Sequence, residues 1–311
     1  MTTLICGSIA YDTIMVFHDR FKHHILPEQI HILNVAFLVP DMRREFGGTA
    51  GNIAYNLKLL GGDPAIMATV GDDSGPYLER LRRLGISDAH VRTVPGTFTA
   101  QAFITTDLDD NQITAFHPGA MNHSHMNHAA DVPNVRLGIV APDGRDGMFQ
   151  HAAELHDAGT PFIFDPGQGM PMFERKDLLH FMDLADYCTV NDYEAKLMSQ
   201  KTGCSIEELA RKVRALVVTL GGKGSNIHVD GRVIDIPCVK PDAEVDPTGC
   251  GDAFRAGLIH GIDNGLDWQQ TGQLASLMGS IKIAQRGGQN HQPSREEIGT
   301  RYREAFGSSV W

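Results

Sequence analysis

Short apolar runs alternate along this chain with segments in which apolar residues recur at helical spacing. The runs are bounded by Gly, Pro, Asp or Asn and predict buried strands at 4–9, 65–70, 135–140, 161–164, 187–190 and 216–220. The helical spacing predicts helices near 49–60, 76–84, 149–158, 192–201, 206–215, 251–261, 268–284 and 294–306. This alternation is typical of an α/β fold with a doubly wound, mainly parallel sheet flanked by helices. We therefore expect functional residues at the carboxyl ends of strands, the first of which is expected to deliver Asp12.

Two segments depart from the α/β pattern. Residues 97–106 and 112–116 alternate apolar and polar side chains around Asp109-Asp110-Asn111, which predicts a β-hairpin. After a second strand near 13–17, the chain is irregular up to Glu45 and rich in His and Phe. We predict that about 13–46 and 97–118 together form a small β lid over the sheet edge, within a single domain that spans residues 1–311.

Composition narrows the class of protein. The chain has 311 residues, 42% of them hydrophobic, which is enough to bury the core of one large α/β domain. No apolar run approaches the roughly 18 residues that span a bilayer, and the N-terminus enters a strand pattern without a basic region, which predicts a cytoplasmic protein. The five cysteines form no C-x-x-C pair, so neither a disulfide framework nor a zinc site is indicated. A net charge of −11 with dispersed basic residues argues against nucleic acid or a membrane as a partner.

The segment 246–254, DPTGCGDAF, carries the strongest chemical signal. Its glycines let the backbone approach an anion, and the apolar residues that follow begin a helix. One spot is therefore expected to face both the positive end of the helix dipole and the amides of Gly249, Cys250 and Gly251. Asp252 lies one step inside the helix, where it can accept a proton from a hydroxyl that attacks a phosphate. Taken alone, however, the same residues are read more simply as a glycine turn with an acidic helix cap.

The longer segment 246–258 resembles the second signature of the PfkB, or ribokinase-like, kinases. In that signature, D-x-x-G-x-G-D, the last Asp is the catalytic base and the glycine-turn amides form an anion hole. Two residues differ from the commonest form, Pro247 in place of Thr or Val and Cys250 in place of Ala. The resemblance implies a ribokinase-like fold, Asp252 as the base, and an anion hole made by Gly249, Cys250 and Gly251.

Two N-terminal segments match the same family in order. Gly7 to Asp12 is similar to its G-x-x-x-x-D segment, which implies that Asp12 binds a pair of vicinal sugar hydroxyls. The sequence GGTAGN at 47–52 is similar to its G-G-x-x-x-N element, which implies substrate binding by Gly47, Gly48 and Asn52. The third residue of this element is not the Lys that is common in ribokinases, which disfavours free ribose as the substrate.

Two later segments match the family's nucleotide and metal motifs. Asn191 and Glu194 match the family's N-x-x-E motif, which implies that they hold a Mg²⁺ ion through water and that Asn191 also lies at the ATP. The alternative interpretation is a helix capping box. The loop at 219–224 matches T-x-G-x-x-G, which implies that Thr219, Gly221 and Gly224 border the ATP. Its spacing is not that of a Walker A loop. In the family, the regions 246–248 and 287–291 can also bind a monovalent cation such as K⁺ through backbone oxygens.

The substrate hypothesis rests on the lid. The segment at 34–48, NVAFLVPDMRREFGG, resembles that of bacterial adenosine and nucleoside kinases. Phe37, Phe103 and Phe116 can sandwich a base, or they can be ordinary packing residues of the lid. The leading hypothesis is an ATP-dependent kinase that phosphorylates the 5′-hydroxyl of a purine-type ribonucleoside such as adenosine, inosine or guanosine. A ribokinase or fructokinase type of sugar kinase and a non-catalytic nucleoside-binding protein are the alternatives, and a homodimer is possible because related lids mediate dimers.

Four histidines at 117–128 have spacing that metal ligands also show. They are His117, His123, His125 and His128. No helix or strand pattern brings them together, and no carboxylate partner is evident. We therefore predict a solvated or lid-associated loop rather than a metal site.

Overall fold

The centre of the protein is a nine-stranded sheet, described here from a computed structural model that covers residues 2–25, 31–32, 34–109 and 111–311. The strands of the fold are β1 (Thr2–Cys6), β2 (Ala10–Val16), β3 (Asp41–Gly47), β4 (Pro64–Val70), β5 (Ser87–Thr93), β6 (Ala100–Thr106), β7 (Gln112–His117), β8 (Val135–Val140), β9 (Phe162–Phe164), β10 (Tyr187–Asn191), β11 (Ala215–Thr219), β12 (Ser225–Val229) and β13 (Arg232–Ile236). The helices are α1 (Thr49–Leu59), α2 (Gly75–Arg83), α3 (Arg145–Asp157), α4 (Arg175–Leu184), α5 (Asp192–Thr202), α6 (Ile206–Ala210), α7 (Cys250–Asp263), α8 (Trp268–Ile283) and α9 (Arg295–Phe306).

The large sheet is parallel over most of its width. Its strands lie in the order β13-β12-β11-β10-β9-β8-β1-β4-β5, and the neighbours from β11 to β5 run parallel. At one edge, β12 and β13 are antiparallel. Parallel neighbours need crossover connections, which helices supply here, so the doubly wound α/β fold is confirmed.

Apolar side chains from the central strands form two layers, one on each face of the large sheet. Ile5 and Ile66 pack with residues of α1, α2, α7 and α8, whereas Leu4 and Met67 pack with residues of α3, α4, α5 and α6. Because helices cover both faces, strand β4 is buried along its whole length. Within the described ranges, every helix is too short or too polar to serve as a transmembrane span.

A second, four-stranded sheet has the order β3-β2-β6-β7. Asp12 lies inside its strand β2, so the expectation that the first core strand runs to residue 9 and delivers Asp12 is wrong. The core strand ends earlier because Ser8 leaves the ladder to cap α1. Its Oγ accepts from the Thr49 amide (3.1 Å), and its carbonyl oxygen accepts from the Ala50 amide (3.0 Å).

This smaller sheet corresponds to the lid expected from the sequence. Strand β2 begins at Ala10, before the predicted start at residue 13, and β6 and β7 form the expected antiparallel pair. Residues 26–30 and 33 of the predicted lid, and Asp110 of its predicted turn, lie outside the described residues. Strands β5, β12 and β13 and helix α4 are elements that the sequence pattern did not reveal, and α6 ends at Ala210 rather than near residue 215.

Candidate active site

The carboxyl ends of three neighbouring strands, β9, β10 and β11, lie at one edge of the large sheet, and the residue after β9 contacts α7. Asn191, the last residue of β10, pairs with Thr219, the last residue of β11. Asp165 directly follows β9, and Arg255 of α7 binds its carboxylate. Two residues expected at the ATP therefore lie side by side, on the edge of the sheet that faces α7.

The amino end of α7 begins with a left-handed turn. Gly249 is the N-cap residue with a φ of 78°, a backbone conformation that favours glycine. The Cys250 amide donates to the Pro247 carbonyl oxygen (3.1 Å), so it is engaged within the turn. In the described part of the chain, the amides of Gly249, Gly251 and Asp252 make no such bond, so of the predicted anion hole only the Cys250 amide is engaged. The amides of Gly251 and Asp252, in the first turn of the helix, are free to bind an anion at its positive end.

The carboxylate of Asp252 is held in place by Asn52 of α1. Asn52 Nδ2 donates to Asp252 Oδ2 (2.8 Å). Burial raises the pKa of Asp252 to about 6, and the negative charges of Asp165 and Asp12 also raise it. The positive charge of Arg255 and the hydrogen bond from Asn52 act in the opposite direction. A carboxylate with this pKa is mostly charged at neutral pH and is a better proton acceptor than an exposed aspartate.

Asn52 is itself oriented by a buried chain of hydrogen bonds. Gln289 is almost fully buried, and its Nε2 donates to Asn52 Oδ1 (3.1 Å) and to the Tyr77 hydroxyl (2.7 Å). The Tyr77 hydroxyl donates in turn to the Gly47 carbonyl oxygen (2.6 Å). At the other end, Arg80 donates to Gln289 Oε1 (3.3 Å) and to the Gln289 carbonyl oxygen (2.6 Å). We call these five residues the amide relay: Asp252, Asn52, Gln289, Tyr77 and Arg80.

The direction of every bond in the amide relay is fixed by its ends. Arg80 can only donate, so Gln289 Oε1 must face it and Nε2 must face Asn52. The Gly47 carbonyl oxygen can only accept, so Tyr77 donates to it and accepts from Gln289, which demands the same orientation of the Gln289 amide. Asn52 is therefore left with its NH₂ group toward Asp252, and it donates to the carboxylate.

A buried ion pair ties the same helix to the sheet. Arg255 and Asp165 are 7% and 1% exposed. Arg255 Nε donates to Asp165 Oδ2, and Arg255 Nη2 donates to Asp165 Oδ1 at 2.7 Å. Arg255 Nη1 also donates to the Gly251 carbonyl oxygen (3.0 Å). The first turn of α7, which carries Asp252, is thus anchored to the end of β9 by a bidentate pair.

Asp12 lies against the glycines that precede α1. A Cβ atom at Gly47 would overlap the Asp12 carboxylate, so glycine is required for Asp12 to take this position. At Gly48, with a φ of 84°, a Cβ atom would lie 2.5 Å from the Ser8 carbonyl oxygen. Burial raises the pKa of Asp12 to about 6, with Asp246 and Glu45 adding to the shift. Asp12, Gly47 and Gly48 are therefore brought together, near the carboxylate of Asp252.

Asn191 and Glu194 form a helix capping box at the start of α5. Asn191 Oδ1 accepts from the Glu194 amide (2.7 Å), and Glu194 Oε2 accepts from the Asn191 amide (2.8 Å). The capping interpretation of this motif is therefore realised in the structure. Burial raises the pKa of Glu194 and Asp165 adds to the shift, against the lowering effects of its bond to Asn191 and of Arg255.

The loop after β11 closes on itself. A 3₁₀ turn at Gly221–Lys223 follows Thr219, and the Leu220 amide donates to the Gly224 carbonyl oxygen (2.8 Å). A Cβ atom at Gly224 would overlap the Ile236 carbonyl oxygen of β13. Gly224 thus has a structural reason to be glycine, in addition to the ATP contact that the motif implies.

Two of the three lid phenylalanines, Phe103 and Phe116, lie on opposite faces of the smaller sheet. Phe37 packs on Phe17 and Phe21, with ring centroids 4.8 and 5.0 Å apart. On the β6–β7 pair, Phe103 lies opposite Ala115 and Phe116 lies opposite Ala102. Successive residues of a strand point to opposite faces, so Phe103 and Phe116 lie on opposite faces of the smaller sheet. Phe103 and Phe116 therefore do not face each other across a base in this conformation, and the role of Phe37 stays a prediction.

Of Phe103 and Phe116, it is Phe116 that shares a face of the smaller sheet with Asp12. Register pairs Asp12 with Ala102, which in turn lies opposite Phe116. Residues paired across neighbouring strands present their side chains on the same face. Phe103 lies on the other face and is 40% exposed.

The histidine-rich segment packs beside the large sheet as a 3₁₀ helix, Gly119–Met126. Its buried Ser124 bonds the Gly144 carbonyl oxygen (3.4 Å) at the start of α3. His128 has a carboxylate partner that the sequence did not reveal, since its Nδ1 lies 2.7 Å from Glu154 Oε1. Among the described residues, no group of three or more His, Cys, Asp or Glu side chains is arranged to hold a metal ion.

Sequence reasoning missed the residues that hold Asp252 and its neighbour Asn52 in place. Tyr77, Arg80, Asp165 and Arg255 were not singled out, and Gln289 was noted only within a segment for a cation. One signal was available: Arg255 is a charged residue inside the apolar stretch AFRAGLI, and a charge in such a position needs a partner. The identity of the partner depends on the fold.

Comparison with known proteins agrees with this geometry. Residues 9–295 match the model of the pfkB family carbohydrate kinases. A nucleoside kinase of Methanocaldococcus jannaschii is 31% identical over 286 residues, which cover 91% of this chain and 94% of that protein. The structure of Burkholderia thailandensis nucleoside kinase in complex with inosine has a TM-score of 0.91 at 56% identity and covers 99% of both chains. The same protein in complex with ADP-inosine has a TM-score of 0.88 at 57% identity, covering 99% of this chain and 97% of that one.

The family model spans most of the chain, and Asp252 and Asn52, which the sequence resemblance singles out, are in direct contact. The chain therefore belongs to the pfkB family of carbohydrate kinases.

Proposed function

We propose that this ATP-dependent nucleoside kinase transfers the γ-phosphate of ATP to the 5′-hydroxyl of a purine ribonucleoside, such as adenosine, inosine or guanosine. The family match and the nucleoside kinase relatives support the reaction class. The observation that carries the proposal is the Asp252 carboxylate, which lies at the amino end of α7 and accepts a hydrogen bond from Asn52.

The chemistry assigned to the site uses three of its features. Asp12 accepts from the 2′- and 3′-hydroxyls of the ribose, which places the 5′-hydroxyl near Asp252. Asp252 takes the hydroxyl proton as the oxygen attacks the γ-phosphate. The free amides of Gly251 and Asp252, together with the positive end of α7, stabilise the negative charge of the transition state.

We assign a Mg²⁺ ion to the Asn191 and Glu194 end of the site. Mg²⁺ prefers oxygen ligands and keeps several waters, and Glu194 uses only Oε2 in its capping bond, which leaves Oε1 for a bound water. The carboxylate therefore fits a hydrated ion. When bound, Mg²⁺ would neutralise charge on the ATP phosphates.

The purine preference draws on the relatives and on the lid. The Burkholderia thailandensis protein binds inosine, and it covers nearly the whole of this chain. The position of Phe116 on the same face as Asp12 supports a contact between its ring and the base of the ribonucleoside. The alternative is a sugar kinase, which would use the same base and anion site with a different acceptor.

A substrate panel tests the proposal. We expect Mg²⁺-dependent ADP formation with adenosine, inosine and guanosine, weaker activity with pyrimidine nucleosides, and little with ribose or fructose. A coupled assay for ADP measures each rate, and the same reactions with a chelator serve as the control for Mg²⁺. Faster turnover of free ribose than of inosine or adenosine would favour the sugar kinase, and nucleoside binding in a calorimeter without product would favour a binding protein.

The amide relay predicts a change in the pH profile. Asp252 must be charged to accept a proton, so kcat/KM should fall as the pH drops through its pKa of about 6. Gln289→Glu replaces the donor to Asn52 with an acceptor, so Asn52 no longer donates to Asp252 and the pKa of Asp252 rises. We expect the acid limb to move up by about 1 pH unit.

The matched control for this variant is Gln289→Met, which removes the hydrogen bonds without reversing them. Its acid limb should move by less than that of Gln289→Glu. The acid limb of each variant is obtained from kcat/KM for the nucleoside, measured from pH 5 to 9 at saturating ATP. An acid limb that stays in place in both variants, with only a lower plateau, would mean that Gln289 supports the fold and does not orient Asn52.

A homodimer and a cytoplasmic location remain predictions from the sequence. The apolar side chains of Phe103 and Ile113, exposed on one face of the smaller sheet, support an association of two copies through that face. Sedimentation equilibrium measures the mass, and a monomer at all concentrations would remove the homodimer.

A further inference from the structure

One lysine ammonium is buried beside the turn that leads into α7. Lys282 lies in the last turn of α8 with 0% of its surface exposed. Its Nζ donates to the Asp246 carbonyl oxygen (2.6 Å) and to the Gln285 carbonyl oxygen (3.1 Å). Both partners are neutral backbone oxygens, and a fully buried lysine is rare because removing an ammonium from water is costly. The position therefore calls for an explanation beyond packing.

The turn that receives this ammonium is the entry to the anion site. Asp246 Oδ1 accepts from the Thr248 amide (2.9 Å), and Oδ2 accepts from the Gly287 amide (2.8 Å). The backbone then passes through Gly249 directly into α7. Lys282 thus joins the end of α8 to the loop whose conformation sets the direction of the free amides.

The surroundings of Lys282 are acidic. Burial lowers the pKa of Lys282, while Cys250, Asp246 and Asp252 act in the opposite direction and favour the charged form. Asp12, on the smaller sheet, is affected by the charge of Asp246 as well. An ATP molecule would add more negative charge to the same region. A fixed positive charge beneath the turn offsets part of this repulsion.

The family resemblance implies a monovalent cation such as K⁺ at the backbone oxygens of 246–248 and 287–291. The residues present do not fit one at the Asp246 carbonyl. That oxygen already accepts from Lys282 Nζ and is approached by the Cys250 thiol at 3.9 Å. A K⁺ ion on the same oxygen would lie against the ammonium, and two like charges at contact in a buried site repel strongly.

We propose that the Lys282 ammonium takes the place of a monovalent cation beneath the Asp246 turn, so that phosphoryl transfer by this chain requires no K⁺. The inference rests on the proposed kinase function for its activity readout. Lys282 is a positioning residue, since its Nζ donates to two backbone oxygens and acts through the turn on the amides of Gly251 and Asp252.

The first test uses the unaltered protein. Kinase rates are measured with the tetramethylammonium salts of ATP and buffer, and KCl is then added at constant ionic strength. We expect the rate without K⁺ to stay within about twofold of the rate with K⁺, because the site already holds its cation. Activation by K⁺ of tenfold or more would overturn the proposal. The acceptor in this assay is the most active compound of the substrate panel.

The second test removes the charge. Lys282→Met keeps an unbranched side chain but leaves the two carbonyl oxygens without their donor, and we expect kcat to fall by about tenfold to a hundredfold through misplacement of the turn. K⁺ or NH₄⁺, but not tetramethylammonium, should restore most of the rate. Lys212→Met, at an exposed ion pair with Asp183, is the matched control and should be unaffected in either salt.

A stability readout keeps this test independent of catalysis. A cation that binds only the folded protein raises its melting temperature, so KCl should raise the Tm of Lys282→Met and leave that of the parent unchanged, relative to tetramethylammonium chloride. A variant that keeps full activity without K⁺, or one whose lost activity and Tm do not respond to K⁺ or NH₄⁺, would contradict the proposal. If no acceptor is phosphorylated, the kinase function fails while the Tm comparison still decides the role of Lys282.

Discussion

Replacing Asp252 with Asn is expected to lower kcat by about 10²- to 10⁴-fold, the usual contribution of a general base. The substitution preserves the size of the side chain and its contact with Asn52, but an amide cannot accept the proton of the attacking hydroxyl. Nucleoside affinity should change little, since Asp12 and the glycines at the start of α1 are untouched. Steady-state rates give kcat, and calorimetry with the nucleoside gives Kd.

The control for this variant is Asp242→Asn, which alters an exposed ion pair with Arg301 and should leave kcat unchanged. Near-normal turnover by Asp252→Asn would remove Asp252 from the role of base. A loss of nucleoside affinity as large as the loss of kcat would instead assign Asp252 to substrate binding.

Arg255→Met is expected to lower the free energy of unfolding by about 3 to 5 kcal/mol, because it leaves the buried Asp165 carboxylate without its partner. Urea denaturation followed by circular dichroism measures the change. The double variant Asp165→Asn with Arg255→Met removes the uncompensated charge and should recover part of the loss.

An Arg–Asp pair whose arginine is exposed supplies the comparison. Arg214 pairs with Asp186 at 3.1 Å, and its side chain is 68% exposed. Arg214→Met should therefore cost no more than about 1 kcal/mol. If Arg255→Met and Arg214→Met lower the free energy of unfolding equally, burial does not make the Arg255–Asp165 pair more important for stability.

Much of the fold could be predicted from local patterns. The parallel strands of the core are apolar runs bounded by turn residues, and the glycine spacing around Asp252 marks a helix start within a few positions. The family resemblance and the ribokinase-like fold expected from it are confirmed by the comparisons. Edge strands such as β5 and β13 were missed because they are buried on fewer of their positions and lack a continuous apolar run.

The supporting residues of the site could not be predicted in this way. Gln289 and Asn52 are 237 positions apart, and no local pattern relates them. The opposite faces of Phe103 and Phe116 follow from the register of one hairpin, which a sequence pattern does not determine to a single residue. The burial of Lys282 could not be predicted from the helical spacing of α8. Its partner is the Asp246 carbonyl oxygen, which a different segment of the chain contributes.

The amide relay also has a consequence for the order in which the protein is made. Its members come from α1, α2, α7 and the segment after α8, so the last of them, Gln289, lies near the end of the chain. Chains fold as they are synthesised, beginning with the N-terminal part. Until residue 289 has left the ribosome, the hydrogen bond from Gln289 that directs the Asn52 amide toward Asp252 cannot form, even after Asp252 itself has emerged.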